Sequence, residues 1–313
     1  MSFKECIVAL DPVSAMVLVA SITALLISIQ WGGGRYPWSN PKVWTCIMSA
    51  AILFAVFCAL QWRRGERATI PPRLLRQRTI LGSSLSACFL SMAFHVHSYF
   101  LPIYFQAVKG LTAERSGIQI LPYQVINTIC SIGAGVLIGV VGWYPPFMWV
   151  GTLAFVVGSV LFYKLGVDSG TAVLIGYQII AGTRVGTAIN IPHIAAQAVS
   201  SKKDVSSVNA IVFFFHAIGG SIGIAIGQNI FSATLHRELP LAIPHVDISA
   251  ITDDSSANTR NLIPIEDLET VLDIYSSSVA NAFISPIVTA CLAFLSSLLL
   301  EWNSVKSQNQ EVA

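Results

Sequence analysis

Charged residues divide this chain into long apolar stretches. From Ser116 to Tyr163, 48 residues pass without one Asp, Glu, Lys or Arg, and the only break is Gly142-Trp143-Tyr144-Pro145-Pro146. A bilayer core about 30 Å thick needs about 20 apolar helical residues. The run therefore predicts two membrane helices joined by a tight turn. A soluble helix keeps a polar face toward water, and this run supplies none. The same pattern along the chain predicts eight spans, roughly 13–33, 43–62, 79–108, 116–141, 146–163, 171–199, 205–235 and 276–300. Most are apolar on all sides, as lipid-embedded helices are. The expected fold class is all-α: a polytopic membrane protein of eight transmembrane helices, with both termini on the same side.

Composition agrees, at 54% hydrophobic and 11% charged, where soluble domains carry about 25% charged residues. The distribution of charge adds an orientation. Segments 1–12, 63–78, 142–145, 200–204 and 301–313 hold ten Lys and Arg, six of them arginines in 63–78. The opposite side holds seven, and Arg184 falls inside a span. Basic residues near span ends mark the cytoplasmic side, so both termini are expected there. Loop 236–275, with eight acids against Arg237 and Arg260, is expected outside. Trp31, Tyr36, Trp38 and Trp44 suit one interfacial aromatic belt, and Trp62 and Trp302 the other.

Polar side chains inside spans are costly and therefore candidate functional groups. At about 100° per residue, Ser84, Ser91, His95, Ser98, Pro102 and Gln106 share a stripe on span three. Gln124, Asn127 and Ser131 share a face of span four. Thr183, Gly186, Asn190, His193 and Gln197 share one on span six, and Asn209, His216, Gly220, Gly223 and Gly227 one on span seven. Stripes on four helices suit a water-accessible cavity, with His95, Gln124, Asn127, Asn190, His193 and His216 as substrate-path candidates. The competing reading is helix packing. Gly219-x-x-x-Gly223-x-x-x-Gly227, Gly182-x-x-x-Gly186 and Gly135-x-x-x-Gly139 are spacings that let helices approach closely. His97 reads as a packing or interfacial residue. Arg184 is a candidate anchor for an anionic substrate, but an ideal helix puts it about 140–180° from Gly186, His193 and Gln197. It faces the cavity only if Pro192 twists the helix; otherwise it caps carbonyls or snorkels.

Enzymatic chemistry finds little support. His95-x-His97 is an i,i+2 pair facing opposite sides of a helix and does not chelate one metal. No embedded Ser/His/Asp set, paired carboxylates or P-loop is present, and no cofactor, metal or nucleic-acid partner is implied. The six cysteines include no CxxC pair. The linker at Ile70-Pro71-Pro72-Arg73 reads either as a short helix on the membrane surface, with arginines near anionic lipid, or as a solvated segment. The six spans after it suggest a three-plus-three repeat, as transporters use.

Several motifs together resemble one family. They are Ile29-Gln30-Trp31-Gly32-Gly33, Ile70-Pro71-Pro72-Arg73, the run 99–110 (Tyr99-Phe100-Leu101-Pro102 onward), Ser116-Gly117-Ile118, Ile175-Gly176-Tyr177-Gln178-Ile179, Pro192-His193-Ile194-Ala195-Ala196-Gln197, Gly219-Gly220 through Gly227-Gln228-Asn229, and Glu301-Trp302-Asn303-Ser304-Val305-Lys306. The set resembles the fungal multidrug and toxin efflux branch of the major facilitator superfamily, the fourteen-helix drug:proton antiporter group. The resemblance covers almost the whole chain and implies a partial major-facilitator fold, the last eight helices of fourteen. Residues 1–78 then correspond to two central helices plus a basic cytoplasmic linker, and 79–313 to a C-terminal six-helix half with exterior loop 236–275. The N-terminal half and its signatures are missing. The implied activity is secondary-active, proton-coupled efflux of small organic compounds (a drug or fungal secondary metabolite) from the plasma membrane. The implied partners are a small-molecule substrate, protons, membrane lipid, and either a missing N-terminal half or a second copy. The alternative is a non-transporting truncated remnant or a membrane interaction partner. Arg184 departs from the small residue usual in the family.

Overall fold

The computed structural model describes residues 11–33, 36–65, 68, 70–244 and 266–304. Proline and a capping side chain open the first two long helices. α1 (Pro12–Trp31) starts behind Asp11, whose carboxylate accepts the Ser14 N–H at 3.2 Å. α2 (Pro41–Arg64) starts behind Asn40, whose side chain accepts the Lys42 N–H at 2.9 Å. Proline fits a first turn because its missing N–H has no intrahelical acceptor there. A single turn, α3 (Pro72–Leu75), precedes α4 (Arg78–Ala107). Then follow α5 (Ala113–Gln119), α6 (Leu121–Val141), α7 (Pro145–Tyr163), α8 (Thr171–Ala188), α9 (Ile191–Ala198), α10 (Val205–Ala242), α11 (Leu268–Ala282) and α12 (Ile284–Ser297).

Eight helical stretches among the described residues are long and apolar enough to cross a membrane. Three of them are compound: α5 with α6, α8 with α9, and α11 with α12. α4 is the buried centre, with α9, α10, α11 and α12 against it. α6 packs on α8, α8 on α7 and α7 on α12. The outward surface is apolar: on α6, Ile129, Ile132, Val136 and Val140 are between 58% and 67% exposed. Water would drive such a contiguous patch to associate, whereas lipid solvates it. The protein is an integral multi-pass membrane protein.

The α1–α2 hairpin rests on this bundle through α1 against α10. Asn229 of α10 makes the joint. Its Nδ2 donates to the Ile29 carbonyl at 3.0 Å and also to the Gly32 carbonyl. Carbonyls at a helix C-terminus lack intrahelical donors, so one amide ties down the end of α1. Gly33 turns the chain there with φ +79, which a side chain would strain.

Three boundaries differ from the expectation. α10 continues to Ala242 and the last span begins at Leu268, so loop 236–275 is helical at both ends; residues 245–265 lie outside the described residues. The expected span 171–199 breaks at Ile189–Asn190, because Pro192 has no N–H for the Ala188 carbonyl. The Pro71-Pro72 linker forms one helical turn whose Arg73 and Arg76 are exposed, but it is also anchored inward. Leu74 is 1% exposed and packs among Ile80, Ala87, Ala196, Val208, Ile211 and Val212, pinning the linker against α4, α9 and α10.

The segments assigned to one side meet at one end of the bundle. Arg73 pairs with Asp204 at 3.0 Å and Arg78 with Glu301 at 3.0 Å. The Tyr144 hydroxyl donates to the Glu301 carbonyl at 2.8 Å, and Arg64 pairs with Asp11 at 2.9 Å. Hydrogen bonds from Ser201 and from Arg73 hold the Asp204 carboxyl below its ordinary range, and burial pushes the Tyr144 phenol up to about 12. The ion pairs at Arg73 and Arg78 are exposed, and such pairs contribute only about 0–1 kcal/mol. They mark where the segments sit more than they hold them. At the other end Lys109 donates to the Val167 and Ser169 carbonyls at 2.5 and 2.7 Å. Single-cysteine labelling at residue 255 of a cysteine-less variant is expected in intact cells. Labelling only after permeabilisation would reverse the orientation.

Candidate functional site

The candidate residues gather on one face, formed by α4, α6, α9 and α10. His95 of α4 is fixed by its own preceding turn: its Nδ1 lies 2.9 Å from the Ser91 carbonyl and 3.1 Å from the Ser91 hydroxyl. A carbonyl only accepts, so Nδ1–H is the donor and Nε2 keeps the lone pair of the neutral ring. Its ring stands 5.9 Å from that of His216 on α10. His216 is 6.3 Å from His193 on α9, and His193 is 4.2 Å from Phe213 on α10. The three histidines are all half-buried. The Nδ1 atoms of His193 and His216 are buried without a hydrogen-bond partner.

Amide side chains join the same helices. Gln124 of α6 donates to the Ser98 hydroxyl of α4 at 3.3 Å. Asn190, at the α8–α9 break, donates to the Ser131 hydroxyl of α6 at 2.5 Å. Gln197 of α9 donates to the Asn209 side chain of α10 at 2.8 Å. Asn127 sits half-buried where α6 meets α8, its Oδ1 unpartnered. Each of these polar pairs bridges two helices, as the packing reading expects. Of Arg184, only the backbone within α8 is described, and the side chain lies outside the described residues.

The break at Asn190 divides the single face expected for span six. Before it, Gly182 and Gly186 lie against α6: a Cβ at Gly182 would meet the Tyr123 carbonyl at 2.7 Å, and one at Gly186 would overlap the Asn127 carbonyl. After it, His193 and Gln197 turn to α10. The glycine row of α10 seats on α4, where added Cβ atoms would overlap the Cys88 carbonyl at Gly219 and meet Met92 Cα at 2.6 Å at Gly223. The third glycine motif is corrected, since Gly135 and Gly139 have open space around them and no packing role within the described residues. His97 is a packing residue and not an interfacial one. It is fully buried, with Phe155, Phe162 and Phe283 at 5.4, 4.8 and 5.6 Å and the Tyr123 hydroxyl 3.3 Å from its Nδ1.

Two embedded amides, quoted above only as motif residues, were not among the site candidates. Gln178 of α8 is fully buried with both side-chain ends unpartnered, and Gln228 of α10 leaves its Oε1 without a partner. The signal was present, because an amide inside an apolar span is itself unusual.

The described residues thus form a helical membrane bundle whose polar side chains pair across its helices. A search of protein-family models finds none that matches. Curated proteins do match: the efflux pump roqT of Penicillium rubens is 34% identical over 303 residues, covering 97% of this chain and 56% of that protein. The MFS-type transporter astH of Aspergillus oryzae is 34% identical over 307 residues, covering 98% of this chain and 54% of that protein. The MFS-type efflux pump MFS1 of Arthroderma benhamiae is 33% identical over 312 residues. The chain belongs to the major facilitator superfamily, the family that these relatives' names give. It spans about half the length of the curated relatives it matches. The fold is also that of a bacterial homologue of the human lysosomal transporter Spinster in an inward-facing, occupied conformation. That match has a TM-score of 0.60 at 14% identity and covers 84% of this chain and 59% of that structure.

Proposed function

We propose that these residues form the C-terminal half of a carrier that exports small organic compounds in exchange for protons, residing in the plasma membrane. In this reading 1–78 supplies the two central helices and the basic linker, and 79–313 supplies one of the two halves that rock about the substrate. The observation that carries it is the convergence of His95, Gln124, Asn127, Asn190, His193 and His216 on one face of a bundle that is otherwise apolar outside. Polar groups facing hydrocarbon cost several kcal/mol each, so such a face is built to meet water, substrate or another polar surface.

An enzymatic reading is weaker. Ser91 and His95 are within hydrogen-bond distance, but His95 Nδ1 is directed to the Ser91 carbonyl and no carboxylate orients the ring. A nucleophile–base–orienter set is therefore incomplete.

The test is complementation. The chain, joined behind the leading portion of the roqT pump, is expected to lower accumulation of a panel of dyes and toxins in an efflux-deficient yeast. The 313 residues reconstituted alone in liposomes are expected to show no gradient-driven flux, since alternating access needs two halves. Flux by the chain alone would replace the half-carrier reading with a homodimeric carrier. Failure of the completed carrier to move any compound would remove the transport reading.

A further inference from the structure

The linker that sends Leu74 inward also builds a cleft on its outer side. Trp62 and Gly65, at the end of α2, line one part of it, and Pro72, Arg73 and Arg76, on and just after α3, line the other. Its volume is about 480 Å³. Gly65, at φ +56, turns the chain out of α2 toward the linker. The turn of α3 then sets where its side chains go. With Leu74 packed against the bundle, Arg73 and Arg76 lie about 100° and 200° away around the helix, and both are exposed.

The charge here is one-sided. Segment 63–78 holds six arginines against one acid, Glu66. Arg64, Arg73 and Arg78 pair with Asp11, Asp204 and Glu301. Arg76 makes no ion pair among the described residues, and no acid lines the cleft among them. Arg73 is held in position by Asp204 with its side chain still 50% exposed. An anion in the cleft therefore meets the charge of Arg76 beside a fixed guanidinium. The planar fork of arginine matches the paired oxygens of a phosphate.

The cleft also opens onto the lipid-facing side of α2. Phe54, Cys58 and Trp62 follow at i, i+4 and i+8, spanning about 12 Å of the helix axis. All three are exposed, Trp62 at 75%. This stripe leads from the apolar span to the arginines, and an indole suits the boundary between them. The basic segments assign this end of the bundle to the cytoplasm, where the leaflet carries anionic lipid. A soluble phosphate compound would use the arginines and leave the stripe bare. A phospholipid uses both.

We propose that this cleft is a binding site for an anionic glycerophospholipid, with the headgroup phosphate at Arg73 and Arg76 and an acyl chain along Trp62, Cys58 and Phe54. Such binding is independent of transport and is measured without it.

The experiment is native mass spectrometry of the purified chain in a neutral detergent, which gives the dissociation constant of the first bound lipid. The probes are dioleoyl phosphatidylserine, phosphatidic acid and phosphatidylcholine. The two anionic lipids are expected to bind at least about tenfold tighter than phosphatidylcholine. Arg76→Gln is expected to weaken phosphatidylserine at least about tenfold, and Arg63→Gln to change it less than about twofold. Arg63 is an exposed arginine of the same segment that does not line the cleft. Diffuse attraction to a basic surface would weigh the two arginines alike. An unaltered melting midpoint shows that Arg76→Gln folds. Glycerol 3-phosphate in large excess, which offers the phosphate without the chains, is expected to leave the bound lipid in place. Equal binding of phosphatidylcholine, equal effects of Arg76→Gln and Arg63→Gln, or no retained lipid would each overturn the proposal. Displacement by glycerol 3-phosphate would overturn it in favour of a site for a soluble phosphate compound.

Discussion

Replacing Gly223 by leucine is expected to unseat α10 from α4 and to lower the stability of the bundle sharply. The cause is what lies opposite. A Cβ at Gly223 meets the Met92 backbone at 2.6 Å, and one at Gly219 overlaps the Cys88 carbonyl, whereas one at Gly227 meets only the edge of the Phe100 ring at 2.8 Å. Backbone does not rotate out of the way and a ring can. Overpacking commonly costs about 1–3 kcal/mol, and backbone overlap at a central seam belongs at or above the upper end. Using the soluble-domain scale of about 2–4 °C per kcal/mol, Gly223→Leu should lower the melting midpoint by on the order of 10 °C. Gly219→Leu should behave alike, and Gly227→Ala should lose far less. Gly139→Leu is the control, because nothing stands within 4 Å of a Cβ there. Thermal stability followed by fluorescence-detected size exclusion separates these cases. A Gly223→Leu protein as stable as the parent would mean that α10 and α4 do not meet along this row.

Transport by the completed carrier is expected to lose most of its pH dependence in His216→Gln, and part of it in His95→Gln. Imidazole is the side chain that changes charge between pH 5 and 8, and no Asp or Glu lies centrally in any span. Among the described residues the groups in contact with the cluster are few: Ser91 and Phe94 beside His95 on α4, His193 from α9, and His216 with Phe213 from α10. With the rings about 6 Å apart and no acid to balance them, two imidazolium charges repel. His216 touches both other rings, so its loss disconnects the cluster, whereas loss of His95 leaves the His193–His216 pair. Initial rates measured from pH 5 to 8 in liposomes decide the matter. Unchanged profiles in both variants would assign coupling to another part of the carrier.

Much of this protein was legible along the chain. The absence of charge from 116 to 163 is enough to demand membrane helices, because hydrocarbon admits only backbone that satisfies its own hydrogen bonds. The arginines of 63–78 likewise marked a set of segments that the structure gathers at one end, through Arg73–Asp204 and Arg78–Glu301. Spacing also identified the glycine rows of α8 and α10, and the polar residues worth watching. What spacing gives is an angle around one helix axis. It does not say which neighbour stands at that angle, nor where an axis bends. Gly135 and Gly139 have the same spacing as Gly219 and Gly223, yet only the second pair faces another helix of this chain. Apolar-all-round helices have no strong preference for one rotation, so burial patterns could not choose between those faces. The break before Pro192 turned one expected stripe into two, sending Asn190 to α6 and His193 to α10. The single turn at Pro72–Leu75 keeps its arginines at the surface, yet Leu74 fills a hole between three helices. The meeting of His95, His193 and His216, residues up to 121 positions apart, is likewise a product of tertiary packing. Local sequence dictates which residues are too polar for lipid, and only the packing of whole helices decides which of them share a site.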